Sequence, residues 1–312
     1  MPNAQPQTVL LTGATGFIGR HVLRRLARSG RNRILCLSRG PNAASDEGGR
    51  QDNVEWIVGE IGDAESYARP LGRADVVIHL AAATGAASTM RLRDVNQRGT
   101  HTLVDACKKA AVAKVVYVSS IAVTGKDLGH YPYAQTKLAA ENAVRDSGLD
   151  FVIVRPTIVL GEGAPNWRTL RKLSCLPLVP LFGGGSARVQ PVDVIDVARA
   201  LEWLVDSRSA SGSVVELGGP EVLSFADFLA RIRAACGRTG FPALPVPIAP
   251  VRLALRMLAL ALGERSPLGP GQLAPFTNDG IAEPNPVFEM LRPDMLPLDD
   301  VLRRIAHADR AG

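Results

Sequence analysis

Tyr133 and Lys137 stand four residues apart, a Tyr-x-x-x-Lys spacing that puts a phenol and an ammonium on one face of a helix. A lysine cation beside the ring favours the phenolate and lowers the tyrosine pKa, which suits it to exchange a proton with a hydroxyl or carbonyl. Upstream lies Ser119-Ser120. Ser120 is the candidate to hold a substrate oxygen, and Ser119 takes that place if the register slips by one. A second constellation lies near the N-terminus, in Thr12-Gly13-Ala14-Thr15-Gly16-Phe17-Ile18-Gly19. There Gly13 can make a turn, Gly16 can let the backbone approach a pyrophosphate, and Gly19 can let a helix pack closely on a sheet. The positive N-terminus of that helix then faces the phosphates. Each motif alone is common, since Tyr-x-x-x-Lys is usually a plain helix face and a glycine triplet a tight turn. Their order, with a Ser-Ser strand end between them, points to a dinucleotide and proton transfer.

The elements that must position these residues follow from the apolar pattern. Thr8–Thr12, Arg33–Ser38, Val54–Val58, Asp75–Leu80, Lys114–Ser119 and Phe151–Arg155 read as strands. Phe17–Ser29, Asn96–Ala111 and Tyr133–Ser147 read as helices between them. Strands apolar almost throughout suit a parallel sheet covered on both faces, so the fold class is α/β, a Rossmann doubly wound sheet. Beyond Pro156 the chain turns Gly- and Pro-rich, in Gly183-Gly184-Gly185, Pro242–Pro250 and Pro267–Pro275. Val214–Leu217 reads as a strand returning to the main sheet. Asp193 or Asp196 can cap a helix running to Val205, and Ser224 with Asp227 makes a capping pair before Phe228. The expected division is a dinucleotide-binding domain over 1–160, rejoined by 188–220, with 161–187 and 221–312 forming a smaller substrate-binding lobe.

Where the adenosine ribose should meet an acid, at the end of the second strand, the sequence has Ser38 and Arg39. A guanidinium there can pair with a 2′-phosphate, which favours NADP over NAD; the plain alternative is a solvated loop charge. Asp63 either approaches the adenine or caps the next helix. The 312 residues are 46% hydrophobic and 21% charged, which excludes disordered, collagen-like and coiled-coil chains. The net charge of +6 is spread without a basic run, so it fits a small anionic ligand better than nucleic acid. Cys36, Cys107, Cys175 and Cys236 form no paired motif and suit a reducing, cytoplasmic setting, with Cys36 and Cys107 as inert core thiols. His21, His79, His101, His130 and His307 show no metal-ligand spacing and read as packed or surface residues, with His130 close enough to Tyr133 in sequence to be an outside candidate. The start is polar, without a signal peptide. The apolar stretch Val251–Leu262 is too short to span a bilayer, though it can touch a membrane surface or a partner. Trp167, Leu170, Leu173, Leu176, Phe182, Val246, Ile248 and Leu253 can line an apolar pocket, although most of them read equally as core, and Arg188 can meet an anionic group, with a surface arginine as the plainer reading.

Taken in order, Thr12–Gly19, His79-Leu80-Ala81-Ala82-Ala83, Asn96-Gln97-Arg98-Gly99-Thr100, Ser119-Ser120, Tyr133–Lys137, Arg155-Pro156 and Pro191-Val192-Asp193-Val194 resemble the extended and atypical branches of the short-chain dehydrogenase/reductase superfamily, the NAD-dependent epimerase/dehydratase-like proteins. The resemblance implies a catalytic set of Ser120, Tyr133 and Lys137, with Lys137 also bonding the nicotinamide ribose. It implies cofactor contacts from the glycine loop, Ala81 and Ala82 and from Pro156, and that Asn96 holds the central strand. Two departures weaken a nucleotide-sugar substrate: Val123-Thr124-Gly125 stands where sugar-nucleotide epimerases usually read Val-Tyr-Gly, and Ile158 where they often place asparagine. The C-terminal half is also similar to a branch related to a respiratory NADH dehydrogenase accessory subunit, whose members often lack the tyrosine-lysine pair. The function expected is NAD(P)-dependent hydride transfer at a carbonyl or hydroxyl carbon of a small apolar substrate. Nucleotide-sugar epimerisation or dehydration and a non-catalytic NADP(H)-bound subunit are the alternatives. A homodimer is expected from the family alone.

Overall fold

The computed structural model describes residues 6–40, 51–84, 87–126, 128–129, 131–207, 210–262, 276 and 278–311. Strands β1 (Thr8–Thr12), β2 (Arg33–Ser38), β3 (Val54–Val58), β4 (Val76–His79), β5 (Lys114–Val118), β6 (Asp150–Pro156) and β7 (Ser213–Leu217) form one sheet in the order β7-β6-β5-β4-β1-β2-β3. The pairings β1–β2, β1–β4, β2–β3, β4–β5 and β5–β6 are parallel. Helices α1 (Phe17–Ser29), α2 (Gly99–Lys109), α3 (Pro132–Arg145) and α4 (Val194–Asp206) accompany them. This is the Rossmann-like α/β fold that the apolar strands dictate: Leu10, Leu35, Tyr67, Val77 and Leu103 pack in one buried cluster, and Tyr117, Ala140, Val144 and Ile153 in another. α1 stops at Gly30, whose left-handed φ of 64° lets its N–H reach the Ala27 carbonyl at 3.2 Å.

The predicted helix over Asn96–Ala111 is realised as α2 preceded by a wider π-type stretch, Arg93–Arg98. The extra residue in that turn lets the buried Asn96 carboxamide reach out of the helix, where Oδ1 accepts from Ala83 N at 2.7 Å. Its Nδ2 donates to the Ala83 carbonyl at 3.1 Å and to Thr136 Oγ1 at 3.2 Å. Asn96 thus ties the segment after β4 to α3.

The chain divides into two compact units, one made of Met1–Ser120, Thr136–Arg155 and Val194–Val215, the other of Ile121–Gln135, Pro156–Asp193 and Glu216–Gly312. The second unit is built from short pairings. Val159–Leu160 runs parallel to Val192–Asp193, Leu223–Ser224 antiparallel to Arg188–Val189, and Ala243–Val246 parallel to Val179–Phe182. Its helices include Trp167–Ser174, α5 (Phe225–Ala235), α6 (Ile248–Leu262) and α7 (Leu298–Ala311). The Ser224 hydroxyl caps α5, accepting from Asp227 N at 3.0 Å while bonding the Asp227 carboxylate. Arg233 of α5 donates to the carbonyls of Ser174 and Leu176, both at 2.9 Å, closing the end of the Trp167–Ser174 helix. α6 exposes Leu253 and Met257, and no described helix is long and apolar enough to cross a membrane. His130 and Pro267–Pro275 lie outside the described residues.

Candidate functional site

The glycine loop joins β1 to α1 and floors a cleft of about 370 Å³ within the first unit. Gly13 has a φ of +73°, and a Cβ there would stand 2.7 Å from the Ala81 nitrogen, so glycine is needed both for the turn and for the approach of the next strand end. A Cβ on Gly19 would lie 2.0 Å from the Gly13 carbonyl oxygen. The loop holds its shape through Gly16 N donating to Gly13 O at 2.9 Å. α1 begins with no side chain capping its first amides, which suits a phosphate group as acceptor. Across the cleft, Ala81 N donates to Thr12 Oγ1 at 3.2 Å, and that hydroxyl also bonds His79 Nδ1 at 2.7 Å. His79 is completely buried, with Nε2 against Thr100 at 2.9 Å. Burial, then the Lys137 charge, push its pKa down to about 3, so it is a neutral strut between strands.

Small residues and backbone line most of this cleft, with Ser38 and Arg39 at the end of β2, Glu60 and Ile61 after β3, and Arg91 on the helical turn Thr89–Leu92. The shape and the donors fit an extended dinucleotide. Of the sequence-expected contacts, Gly13, Thr15, Gly16, Ser38, Arg39, Ala81 and Ala82 line the cleft. Phe17, Ile18, Gly19, Asp63, Asn96, Lys137 and Pro156 are not among its lining. Gly19 acts by packing, Asn96 by its bonds to Ala83, and Phe17 by stacking edge-on to His21 with ring centroids 5.8 Å apart. Asp63 opens a turn whose backbone oxygen accepts from Ser66 Oγ at 2.6 Å. The acid in the cleft is Glu60, one residue past the Gly59 that follows β3, and only its place at a strand end signalled it.

α3 carries the tyrosine-lysine pair. Tyr133 is half-buried, its ring centroid 6.0 Å from that of Tyr131. Lys137 is buried, its Nζ donating to the Val118 carbonyl at 2.6 Å and standing 4.3 Å from the Tyr117 ring centroid. Burial pulls its pKa down to about 7, against an upward pull from Glu141. Glu141, one turn on, is fully buried and accepts from Arg155 Nε at 2.9 Å, Arg155 Nη2 at 2.7 Å and Arg145 Nη2 at 2.7 Å. Burial raises its pKa, but the hydrogen bonds from Arg155 and the charges of Arg155 and Arg145 outweigh that and hold it below the ordinary carboxylate range. Ser119 is buried beside Glu141, whereas Ser120 is only half-buried.

A separate pocket of about 140 Å³ lies within the second unit. Its walls are largely apolar, from Ile121, Ala122, Ile158 and Val189, with Tyr131 and Thr157 among the polar members. Asp279 is the charged lining residue, and Arg188 takes its carboxylate through Nε at 3.1 Å, Nη2 at 3.0 Å and its own backbone N–H at 2.8 Å. None of the eight apolar residues expected to line a pocket does so here: Trp167, for example, is core, with its indole N–H 3.4 Å from Asp309. Arg188 is an exposed arginine paired to Asp279, the plainer of its two sequence readings. Cys36 and Cys107 are buried, and burial pushes both thiols up to about 12, beyond any reactive range. No group of three or more potential metal ligands occurs among the described residues.

Residues 9–218 match the NAD dependent epimerase/dehydratase family. A ceramide reductase of Caulobacter vibrioides is 34% identical over 194 residues, 62% of this chain and 59% of that protein. The mitochondrial NADH dehydrogenase (ubiquinone) 1 alpha subcomplex subunit 9 of Dictyostelium discoideum is 27% identical over 244 residues, 76% of this chain and 65% of that one. Both matches thus span less than two thirds of the relatives' own length. The solved structure of a UDP-glucuronic acid 4-epimerase from Bacillus cereus in complex with UDP-glucuronic acid and NAD superposes with a TM-score of 0.74 at 20% identity, covering 97% of this chain and 99% of that one. With a glycine-floored cleft, a tyrosine-lysine helix and a family match over most of its length, the chain belongs to the NAD dependent epimerase/dehydratase family, within the extended short-chain dehydrogenase/reductases.

Proposed function

We propose that the protein is an NADP(H)-preferring oxidoreductase acting on a carbonyl or hydroxyl carbon of a small apolar substrate. The observation that carries this reading is Lys137, a buried lysine bonded to Val118 whose pKa is drawn to about 7, one helical turn from Tyr133. In this scheme Tyr133 gives a proton to the substrate oxygen on reduction and takes it back on oxidation. Lys137 favours the tyrosinate and bonds the nicotinamide ribose, and Ser120 holds the substrate oxygen. The burial of Ser119 beside Glu141 supports Ser120 for that task. Bound NADP(H) would supply or accept the hydride.

The second unit contributes the substrate lobe. Its apolar pocket is lined by Tyr131, two residues before Tyr133, and offers an anionic nucleotide sugar a carboxylate already paired to Arg188 in place of a free cation. The name of the Caulobacter relative, a ceramide reductase, is in keeping with a reductase of apolar substrates. Preference for NADP rests on Arg39 in the cleft wall beside Ser38, where an NAD-specific site would set a carboxylate. Mass spectrometry of the co-purifying nucleotide, with titration of NADP⁺ and NAD⁺, tests the cofactor. Tight NADP⁺ binding is expected; equal affinity for both would remove the preference, and binding of neither would remove the enzyme reading.

A further inference from the structure

Glu141 is a buried charge that the proposed chemistry leaves unused. Along α3, Tyr133, Lys137, Glu141 and Arg145 follow one another at intervals of four, a spacing that places phenol, cation, anion and cation along one face of the helix. A buried carboxylate is costly unless it is paired and hydrogen-bonded, and Glu141 has both of its oxygens occupied. Arg155 grips it from β6 through both oxygens, a fork geometry that fixes the carboxylate in place. Arg145 adds a third bond from α3.

Lys137 faces the Tyr117 ring and the Val118 carbonyl on β5, neutral His79 on β4, and Glu141 on its own helix. Glu141 faces Arg145 on α3, Arg155 on β6 and the Ser119 hydroxyl after β5. Of the groups around the lysine, Glu141 is the anion. Without it the lysine would lose that counter-charge, and Arg145 and Arg155 would lose their shared acceptor.

We propose that Glu141 is a positioning residue for the tyrosine-lysine pair, its clamped carboxylate being the counter-charge that keeps the buried Lys137 ammonium protonated and held against Val118. The inference rests on the roles given to Tyr133 and Lys137 above. A neutral lysine would no longer favour the tyrosinate, so the carboxylate governs the pH range over which the pair works without touching substrate or cofactor.

The test reads Lys137 directly. The sequence has six lysines, Lys108, Lys109, Lys114, Lys126, Lys137 and Lys172, so the full chain labelled with ¹³Cε-lysine gives a tractable NMR titration, with Lys137 assigned from Lys137→Arg. Glu141→Gln is expected to lower the Lys137 midpoint by about one to two pH units, and to move the alkaline fall of kcat/KM for reduction to lower pH. Arg145→Gln, at a half-exposed position, removes a competing cation and is expected to shift the midpoint up by a few tenths of a unit. Glu141→Asp should restore part of the loss. A folded Glu141→Gln protein with an unmoved Lys137 midpoint overturns the proposal. If Glu141→Gln does not fold, an unmoved or lowered midpoint in Arg145→Gln overturns it instead. A fully active Tyr133→Phe variant would defeat the proposed function while leaving the titration result intact, so the two failures are distinct.

Discussion

The cleft of the first unit and the pocket of the second are built on opposite plans. The cleft, about 370 Å³, is floored by backbone and small side chains at the ends of parallel strands, and its shape depends on where atoms are missing: a Cβ on Gly13 or Gly19 would collide with backbone. The pocket, about 140 Å³, is walled by apolar side chains from segments far apart in sequence, around residues 121–131, 157–158, 189 and 278–280. The first plan suits a ligand of fixed shape and charge. A pocket of the second kind can change what it accepts by exchanging one side chain at a time.

Substitutions should act differently on the two sites. Tyr133→Phe is expected to cost about 10²–10⁴-fold in kcat while NADP⁺ affinity stays near the unaltered value, as read by steady-state kinetics beside calorimetric titration. Gly19→Ala, whose added methyl would meet the Gly13 carbonyl, should weaken dinucleotide binding on the order of 100-fold, with a near-native circular dichroism spectrum showing that the sheet persists. Arg39→Ala is expected to cut NADP⁺ affinity about 10–100-fold and to spare NAD⁺; an equal loss of both would mean that Arg39 serves the shared part of the two cofactors. Ile158→Asn places an amide in the apolar wall and should raise KM for an apolar ketone about tenfold without moving cofactor affinity.

Stability should respond to the buried lysine as well. Lys137 titrates at about 7 in the folded chain and near ~10.4 when unfolded, so between those values the unfolded chain binds more protons and stability rises with pH. The cost of burying the charge is therefore fully present below about pH 7 and relieved toward about pH 10. The melting temperature of Lys137→Met relative to the unaltered chain should accordingly be most favourable near neutrality and decline as pH rises. A difference independent of pH would deny the lysine its depressed pKa.

The same contrast explains what was legible in the sequence. β1, α1, β2 and β3 run over the residues that the apolar pattern predicts, because a strand buried on both faces and a helix closed by Gly30 are local facts. The glycine loop was equally local. Asp63 and Glu60 show the limit: both are acids shortly after β3, and which one reaches the cleft depends on the path of the chain past Gly59 rather than on residue type. The π-type turn that frees Asn96 has no pattern of its own, since its pay-off is a bond to Ala83 in another segment. The pocket was least legible. Trp167 and Leu170 look like pocket walls by composition, whereas the walls come from Ile121 and Ile158, and the charge on Arg188 is answered by Asp279, 91 residues away.

Hydride transfer to an apolar carbonyl assisted by Tyr133 can be followed with deuterium. NADPH deuterated at the transferring carbon is incubated with the full chain and a panel of apolar ketones, and the products are read by mass spectrometry. The account predicts a secondary alcohol carrying one deuterium at the carbinol carbon, formed by the unaltered protein and nearly abolished in Tyr133→Phe. Unlabelled product, or no product from any ketone while NADPH is bound, would contradict it.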